Sequence, residues 1–314
     1  MKEKKLLPAL APDALLGKSK AYIHKALLRK ASDDLDEYQL WASLALELLG
    51  KAALANIHPA LVADPTHSDS LFAACEVVIK VDVKTITAKT LFERLKHIIS
   101  HFDEATSQFC LAIALRRNAE LHSGDTPFKS MKLEAWEAKY WYATSLLLTQ
   151  LDLSLDDWLG SDRSDAPKQI VKHAEQAKAQ STTIRIERAS EAFKKRPKAE
   201  RERAIQDAAS RQPYHYRDMF SLLSDHIWEV ECPSCSGKAF IAGIQIGENI
   251  VGSHSDYGDA WDEVETTYSA EQFRCPVCQL ELEGTFEIEV AKLDTEHVET
   301  EQREMQFEPD YGND

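Results

Sequence analysis

The chain has little that would carry it into or across a membrane. No apolar run reaches the roughly 18 residues that read as a spanning helix. The basic start, Met1-Lys2-Glu3-Lys4-Lys5, is not followed by an apolar stretch long enough for a signal peptide. A cytoplasmic location with no membrane contact is therefore expected. Cysteine is also scarce, with six in 314 residues. Four of the six fall in two Cys-Pro-x-Cys pairs, a pattern of metal ligands in a reducing compartment rather than of a disulfide framework. Positive charge is what the C-terminal part lacks most: from Trp228 to Asp314 there are 4 Lys/Arg against 21 Asp/Glu. That region repels polyanions, whereas Met1 to Ile227, with 33 bases and 31 acids, tolerates them. Chemistry on RNA would have to lie upstream of Trp228.

What is present first is helical periodicity. Asp33 to Ile57 sets Leu35, Tyr38, Trp41, Ala45, Leu48 and Ala52 at spacings of three and four, one apolar stripe, with Ser32 as N-cap and Pro59 just past the end. Helices are also expected over Asp13–Lys30, Leu91–Phe102, Glu104–Ser123 and Met131–Leu151, the last with Leu133, Trp136, Tyr140, Thr144, Leu147 and Leu151 on one face. Five such helices make a bundle over residues 1–160. Gly124 suits a left-handed cap after the fourth.

Residues 161–213 shift to Ala, Gln, Glu, Lys and Arg without a strong apolar stripe, and read as a charged helical linker broken at Pro197. Its basic run Lys194-Lys195-Arg196-Pro197-Lys198 could touch RNA, but such runs are more often solvated faces. From Trp228 the pattern changes to period two. Leu280, Leu282, Phe286, Ile288 and Val290 alternate with glutamates across Gly284-Thr285, as in a hairpin with one wet face, and Phe240–Ile246 reads as another strand. The stretch Gly252–Asp259 reads as a flexible polar loop, and Thr295–Asp314, acidic and poor in apolar residues, as disordered. Residues 214–314 thus form an acidic zinc-ribbon domain with a disordered tail.

The densest chemistry in the helical part is Arg117-Asn118-Ala119-Glu120-Leu121-His122. An arginine and an amide can hold a phosphate, and a histidine can move a proton. Leu111, Leu115, Asn118 and His122 share a stripe that turns polar only in its last turns, which suits an interface or cleft. Arg117 lies about 140° around an ideal helix from His122, so one straight helix does not aim both at one point. Two helices paired across a two-fold axis would. The bland alternative is that both residues cap or bridge a helix end.

This string, R-N-x-x-x-H in a helical setting, resembles the signature of the HEPN superfamily. The resemblance covers roughly residues 10–160, and its only specific element is these six residues. It implies a bundle of four or five helices that dimerises so that paired motifs form one composite cleft for metal-independent RNA cleavage. Carried over by position, Arg117 would stabilise the phosphate and Asn118 orient it. His122 would be the general acid or base. Arg116, six before His122, is a second candidate for the role of Arg117. In families of this kind the activity often serves toxin–antitoxin or anti-phage systems. The rival reading is a non-catalytic platform for dimerisation or nucleotide binding.

The second constellation is Cys232-Pro233-Ser234-Cys235 and Cys275-Pro276-Val277-Cys278, two knuckles next to strands. Four thiolates fill a tetrahedral Zn²⁺ completely, so a structural role is expected, without part in catalysis. The 39 residues from Ser236 to Arg274 exceed the usual separation. The acidic module would favour a protein partner over nucleic acid. Lesser candidates are His97 and His101, spaced i, i+4 but lacking the Glu of an H-E-x-x-H site. Cys75 and Cys110 read as buried thiols, and Trp136, Tyr140, Trp141 and Tyr142 as core aromatics rather than a stacking surface. The expected fold class is multi-domain: an all-α helical bundle, a helical linker and a small β zinc ribbon. The expected activity is that of a homodimeric endoribonuclease acting on RNA. The alternative is an adaptor whose ribbon recruits a partner.

Overall fold

A helix that is apolar almost all the way round must be surrounded, and α2 (Leu35–Ile57) is the centre on which the helical part is built. Tyr38, Ala42, Ala45, Leu46, Leu49, Ala52, Ala53 and Leu54 are all buried. The computed structural model describes residues 6–77, 82–129, 131–220, 224–256 and 259–304. Among these, α2 is the one helix whose length and composition would allow it to cross a membrane, and its most apolar window is 56% buried within the bundle. By that measure the chain does hold one apolar stretch of spanning length, contrary to the sequence expectation, and it serves as core.

The chain divides into two compact units, Met1–Ala177 and Lys178–Asp314, with the boundary inside the long helix α8 (Asp165–Lys195). In the first unit α1 (Pro12–Ala31) turns back onto α2 through Asp33, whose φ of +60° makes the reversal. The N-cap of α2 is Asp34, not Ser32: its carboxylate accepts from the Glu37 N–H at 3.3 Å. A short helix α3 (Ser68–Ala74) precedes α4 (Ala88–Ile98), α5 (Glu104–His122) and α6 (Leu133–Thr149). The five-residue α7 (Leu155–Leu159) follows, closed by a Ser154–Asp157 capping box. Gly50 lets α4 come close, since a Cβ there would stand 3.0 Å from Leu95 Cδ1. The aromatics of α6 are core, as expected: Trp136 stacks on Tyr140 at 4.6 Å and meets Tyr38 edge-on at 5.4 Å.

The second unit overturns the expected fold class. It is not a helical linker plus a small ribbon but a five-stranded antiparallel sheet spanning residues 226–304 and carrying its own helices. Its strands are β1 (His226–Glu231), β2 (Lys238–Asp256), β3 (Asp259–Arg274), β4 (Glu281–Glu283) and β5 (Glu296–Glu304). The order is β1-β2-β3-β4, with β5 pairing β3. Ile186, Ala189 and Phe193 of α8, with Ala204 and Ala208 of α9 (Lys198–Ala209), pack into the core of this unit beside Trp228, Ile241, Phe273 and Ile288. The supposed linker is thus part of a core, although its break at Pro197 falls where expected.

Three local expectations fail within the sheet. The hairpin over 280–290 stops after Glu283, because Gly284 (φ +73°) turns the chain into helix α10 (Gly284–Val290). There the helical period buries Ile288, while Glu287 accepts from the Glu283 N–H at 2.8 Å and pairs with Arg185 of α8. The presumed loop at 252–256 continues β2; Tyr257 and Gly258 lie outside the described residues. The presumed disordered tail forms β5 over 296–304, His297 lying parallel to Trp228 at 4.8 Å; residues 305–314 lie outside the described residues. Gly243 is required here: a Cβ would come within 2.8 Å of the Trp228 ring and 2.3 Å of the Ser269 carbonyl oxygen.

Candidate active site and metal centre

Helix α5 begins at Asp103, whose side chain accepts from the Thr106 N–H at 2.9 Å. Its buried face is Cys110, Ile113 and Ala114, and one turn later Arg117 continues that face. The stripe Leu111–Leu115–Asn118–His122 begins half-buried, with Leu111 packed against the core, and turns to solvent from Leu115 on. Leu115 is 60% exposed, Leu121 beside it 49%, and Asn118 and His122 are exposed as well. The polar end of α5 is therefore not the continuation of a buried stripe. It is the end of a solvent-facing one that still carries two leucines. The helix finishes at Ser123 in extended conformation (φ −127°), with Ser123 Oγ donating to the Ala119 carbonyl at 2.8 Å. Gly124 is not the left-handed cap expected, as its φ is not positive.

Arg117 faces α2. Its guanidinium Nη2 lies 2.7 Å from Glu47 Oε2, with side chains only 13% and 15% exposed. Glu47 Oε1 lies 2.9 Å from Lys51 Nζ, one turn along α2, and Lys51 also donates to Thr85 Oγ1 at 3.1 Å. Burial pushes the Glu47 carboxyl toward its neutral form, but the charges of Lys51 and Arg117 outweigh it and hold the group below its ordinary range. Glu47 is a buried anion shared by two cations. The Arg117 contact is electrostatic rather than an aligned hydrogen bond, so Arg117 Nε and Glu47 Oε2 are both buried without a hydrogen-bond partner. Glu120 Oε2, one turn on, is likewise buried and unpaired. Arg116 is half-buried.

The structure thus brings Arg117 to Glu47 and Lys51, and leaves Asn118 and His122 together on the outer face of the same helix. Glu47 and Lys51 escaped the sequence reading. Their signal is an acid and a base four residues apart within the most apolar helix, where a charge is kept only if it is paired.

Cys232 ends β1 and Cys235 leads into β2; Cys275 ends β3 and Cys278 leads toward β4. The two knuckles repeat one geometry. Ser236 N–H donates to the Cys232 carbonyl and Gln279 N–H to the Cys275 carbonyl, each at 2.9 Å. Ser234 N–H points at Cys232 Sγ and Cys278 N–H at Cys275 Sγ, each at 3.4 Å, from positions that are not equivalent. Ser236 (φ +54°) and Gln279 (φ +66°) make the same left-handed turn four residues after the first cysteine. A side chain at Gly237 would stand 3.0 Å from Val277, so the knuckles nest only with glycine there. All four sulfurs lie within 4.8 Å of one another, with 3.6 Å between Cys232 and Cys278 and between Cys235 and Cys275. A disulfide needs about 2.05 Å. Four sulfurs about 2.3 Å from a tetrahedral metal stand roughly 3.8 Å apart. By donors and spacing the cluster could hold a metal ion. Sulfur-to-sulfur hydrogen bonding holds Cys278 and Cys235 below the ordinary thiol range and lifts Cys275 and Cys232 above it. Arg196 braces the second knuckle by donating to the Val277 carbonyl at 2.9 Å, so one member of the basic run is structural; its neighbours Lys194, Lys195 and Lys198 are exposed.

The lesser candidates separate cleanly. α4 ends at Ile98 and His101 sits in the following turn at φ +63°, so His97 and His101 share no helix face. Cys110 is fully buried, its thiol pushed far up by desolvation, but Cys75 is exposed, not buried. Compared with family models, curated proteins and solved structures, the chain matches none.

Proposed function

We infer that the chain is an endoribonuclease of the kind the R-N-x-x-x-H string suggests, cleaving RNA without a catalytic metal. The observation that carries this reading is the division of labour around α5. Arg117 is held by the buried carboxylate of Glu47, while His122 and Asn118 are presented to solvent beside exposed Leu115 and Leu121. One chain does not gather the arginine and the histidine, so a second copy supplying the other half through this helix face fits the chemistry. His122 takes the proton of a ribose 2′-hydroxyl, O2′ attacks phosphorus in line, and the P–O5′ bond breaks. The departing O5′ takes its proton from the imidazolium of the partner chain, leaving a 2′,3′-cyclic phosphate and a 5′-hydroxyl. Arg117 offsets the negative charge that builds on the phosphorane, and Asn118 orients the phosphate.

The metal of the sheet unit is Zn²⁺ on this reading. Four thiolates suit it, and no coordination position is left for substrate. The acidic surface of that unit fits a protein partner better than RNA, and the free thiols fit the cytoplasm. A second reading has its own observation. Arg117 paired with buried Glu47 is what a purely structural ion pair would look like, and it suits a non-catalytic dimerisation platform.

The test is the full chain incubated with single-stranded RNA in EDTA. Wild type should cleave, and His122→Ala should lose about 10²–10⁴-fold in rate while staying folded, the usual worth of a general acid–base. Cleavage that needs added Mg²⁺, or survives in His122→Ala, overturns the assignment of the chemistry to this motif, and absence of cleavage returns the chain to the platform reading.

A further inference from the structure

We propose that Glu47 is the positioning residue of Arg117: it aims the guanidinium from α2, with Lys51 and Thr85 fixing the carboxylate from behind. This rests on the reading of Arg117 as a phosphate ligand. Each oxygen of Glu47 serves a different cation, Oε2 facing Arg117 at 2.7 Å and Oε1 facing Lys51 at 2.9 Å. Lys51 is itself tied to Thr85 at 3.1 Å, which restricts the carboxylate before the arginine reaches it.

Two features exceed what a stabilising ion pair requires. One cation is enough to neutralise a buried carboxylate, and burying a second carries a further desolvation cost. Lys51 and Arg117 on one Glu47 leave these three groups with an unbalanced positive charge, and Glu120, the acid one turn further along α5, forms no ion pair with either cation. The second feature is that Arg117 keeps Nε buried without an acceptor. A guanidinium has five donors in a rigid fork, and here one edge is held by charge while another donor is unspent. The side chain keeps 13% of its surface exposed, and it is there, not at the buried Nε, that an anion would meet the fork. An arginine that must meet a phosphate in one orientation gains from such a hold, because its side-chain entropy is lost before the substrate arrives.

The experiment uses the full chain and a single-stranded RNA with a 2′-deoxy substitution at the cleavage position, so that binding is read without turnover; cleavage of the unsubstituted RNA is measured in parallel. Arg117→Ala, Glu47→Ala, Glu47→Gln and the Glu47→Ala/Arg117→Ala double variant are compared, each checked for helix content. Arg117→Ala is expected to weaken binding about ten- to a hundredfold, the usual worth of a hydrogen bond to a charged group. Glu47→Ala should approach that loss, Glu47→Gln should recover part of it, and the double variant should be no weaker than Arg117→Ala alone. Losses that multiply in the double variant would mean that Glu47 acts on stability rather than through Arg117, and would overturn the proposal. So would tighter binding by Glu47→Ala, the sign of a carboxylate that blocks Arg117. If Arg117→Ala binds and cleaves as wild type does, the phosphate-ligand reading and the proposal fall together. If wild type cleaves nothing while the Glu47 and Arg117 losses in binding are shared, the nuclease reading falls and the positioning role stands.

Discussion

The two units deal with buried charge in opposite ways. In the helical unit two buried carboxylates are each met by cations of the same unit: Glu47 lies between Lys51 and Arg117, and Glu137 takes both Lys30 and the Tyr38 hydroxyl. Around these pairs a broad apolar core is assembled on α2. In the sheet unit four cysteines stand within a smaller core, and the charge they would carry as thiolates is met by backbone N–H groups of the knuckles, those of Ser234, Gly237, Cys278 and Leu280. Its surface adds to the imbalance, with 21 acids against 4 bases from Trp228 onward. One unit is held by its own apolar core and ion pairs. The other, on the reading proposed above, is completed by a cation.

Metal removal should therefore split the molecule more sharply than any substitution. Structural zinc contributes roughly 10–16 kcal/mol of apparent binding free energy in small modules. Replacing Cys275 by Ser, or stripping the metal with a strong chelator, should unfold the sheet unit and abolish one equivalent of zinc by elemental analysis. Trp228 and Trp261 lie in that unit, and Trp41, Trp136, Trp141 and Trp158 in the other. Replacing either set by Phe gives a fluorescence signal for one unit at a time. The helical unit should keep its transition. Unfolding of both units together would show that the comparison is drawn too sharply.

The converse change acts on the apolar core. Leu49 is fully buried on α2. Leu49→Ala should cost about 2–5 kcal/mol by lost burial plus the cavity left behind. Urea unfolding of the helical unit should shift to lower denaturant while zinc content stays at one per chain. A change in zinc stoichiometry would contradict the independence of the two cores.

How much of this could be read beforehand follows the same divide. Where burial dominates, the stripes of α2 and α6 locate the helices to within a few residues. The four clustered cysteines were legible because their Cys-Pro-x-Cys spacing is the one that coordination chemistry asks for. Elsewhere the deciding contacts are long-range. Residues 280–290 satisfy the strand period, yet Gly284 and the pairing of Glu287 with Arg185 select a helix. The acidic segment 296–304 has almost no apolar residue, and it is a strand because β3 offers it a hydrogen-bonding edge and Trp228 a ring for His297. In α8 a short stripe, Ile186, Ala189 and Phe193, was present but lost among charged neighbours. The motif on α5 showed its residues but not their directions. Angular spacing correctly separates Arg117 from His122, and only the packing of α2 reveals which of them is turned inward.

The smallest expected effect lies where the helical unit's balance can be upset without touching its core, by acid. Glu47 has a carboxyl held below its ordinary value of 4.5, because Lys51 and Arg117 outweigh the burial that would raise it. A carboxyl with a lower value in the folded than in the unfolded chain binds fewer protons when folded. Its stabilising contribution is complete above the unfolded value and is lost as pH falls through the folded one. Between pH 7 and about pH 5 the urea midpoint of the helical unit should owe nothing to this group's titration. Below about pH 4.5 it should fall, and Glu47→Gln should fall less steeply, because the amide has no proton to take up. The two curves should converge toward low pH, where wild-type Glu47 is neutral as well. Parallel curves down to pH 3 would mean that the ionised Glu47, with Lys51 and Arg117 beside it, adds nothing to the unit's stability. The helical unit would then owe its independence to apolar packing alone.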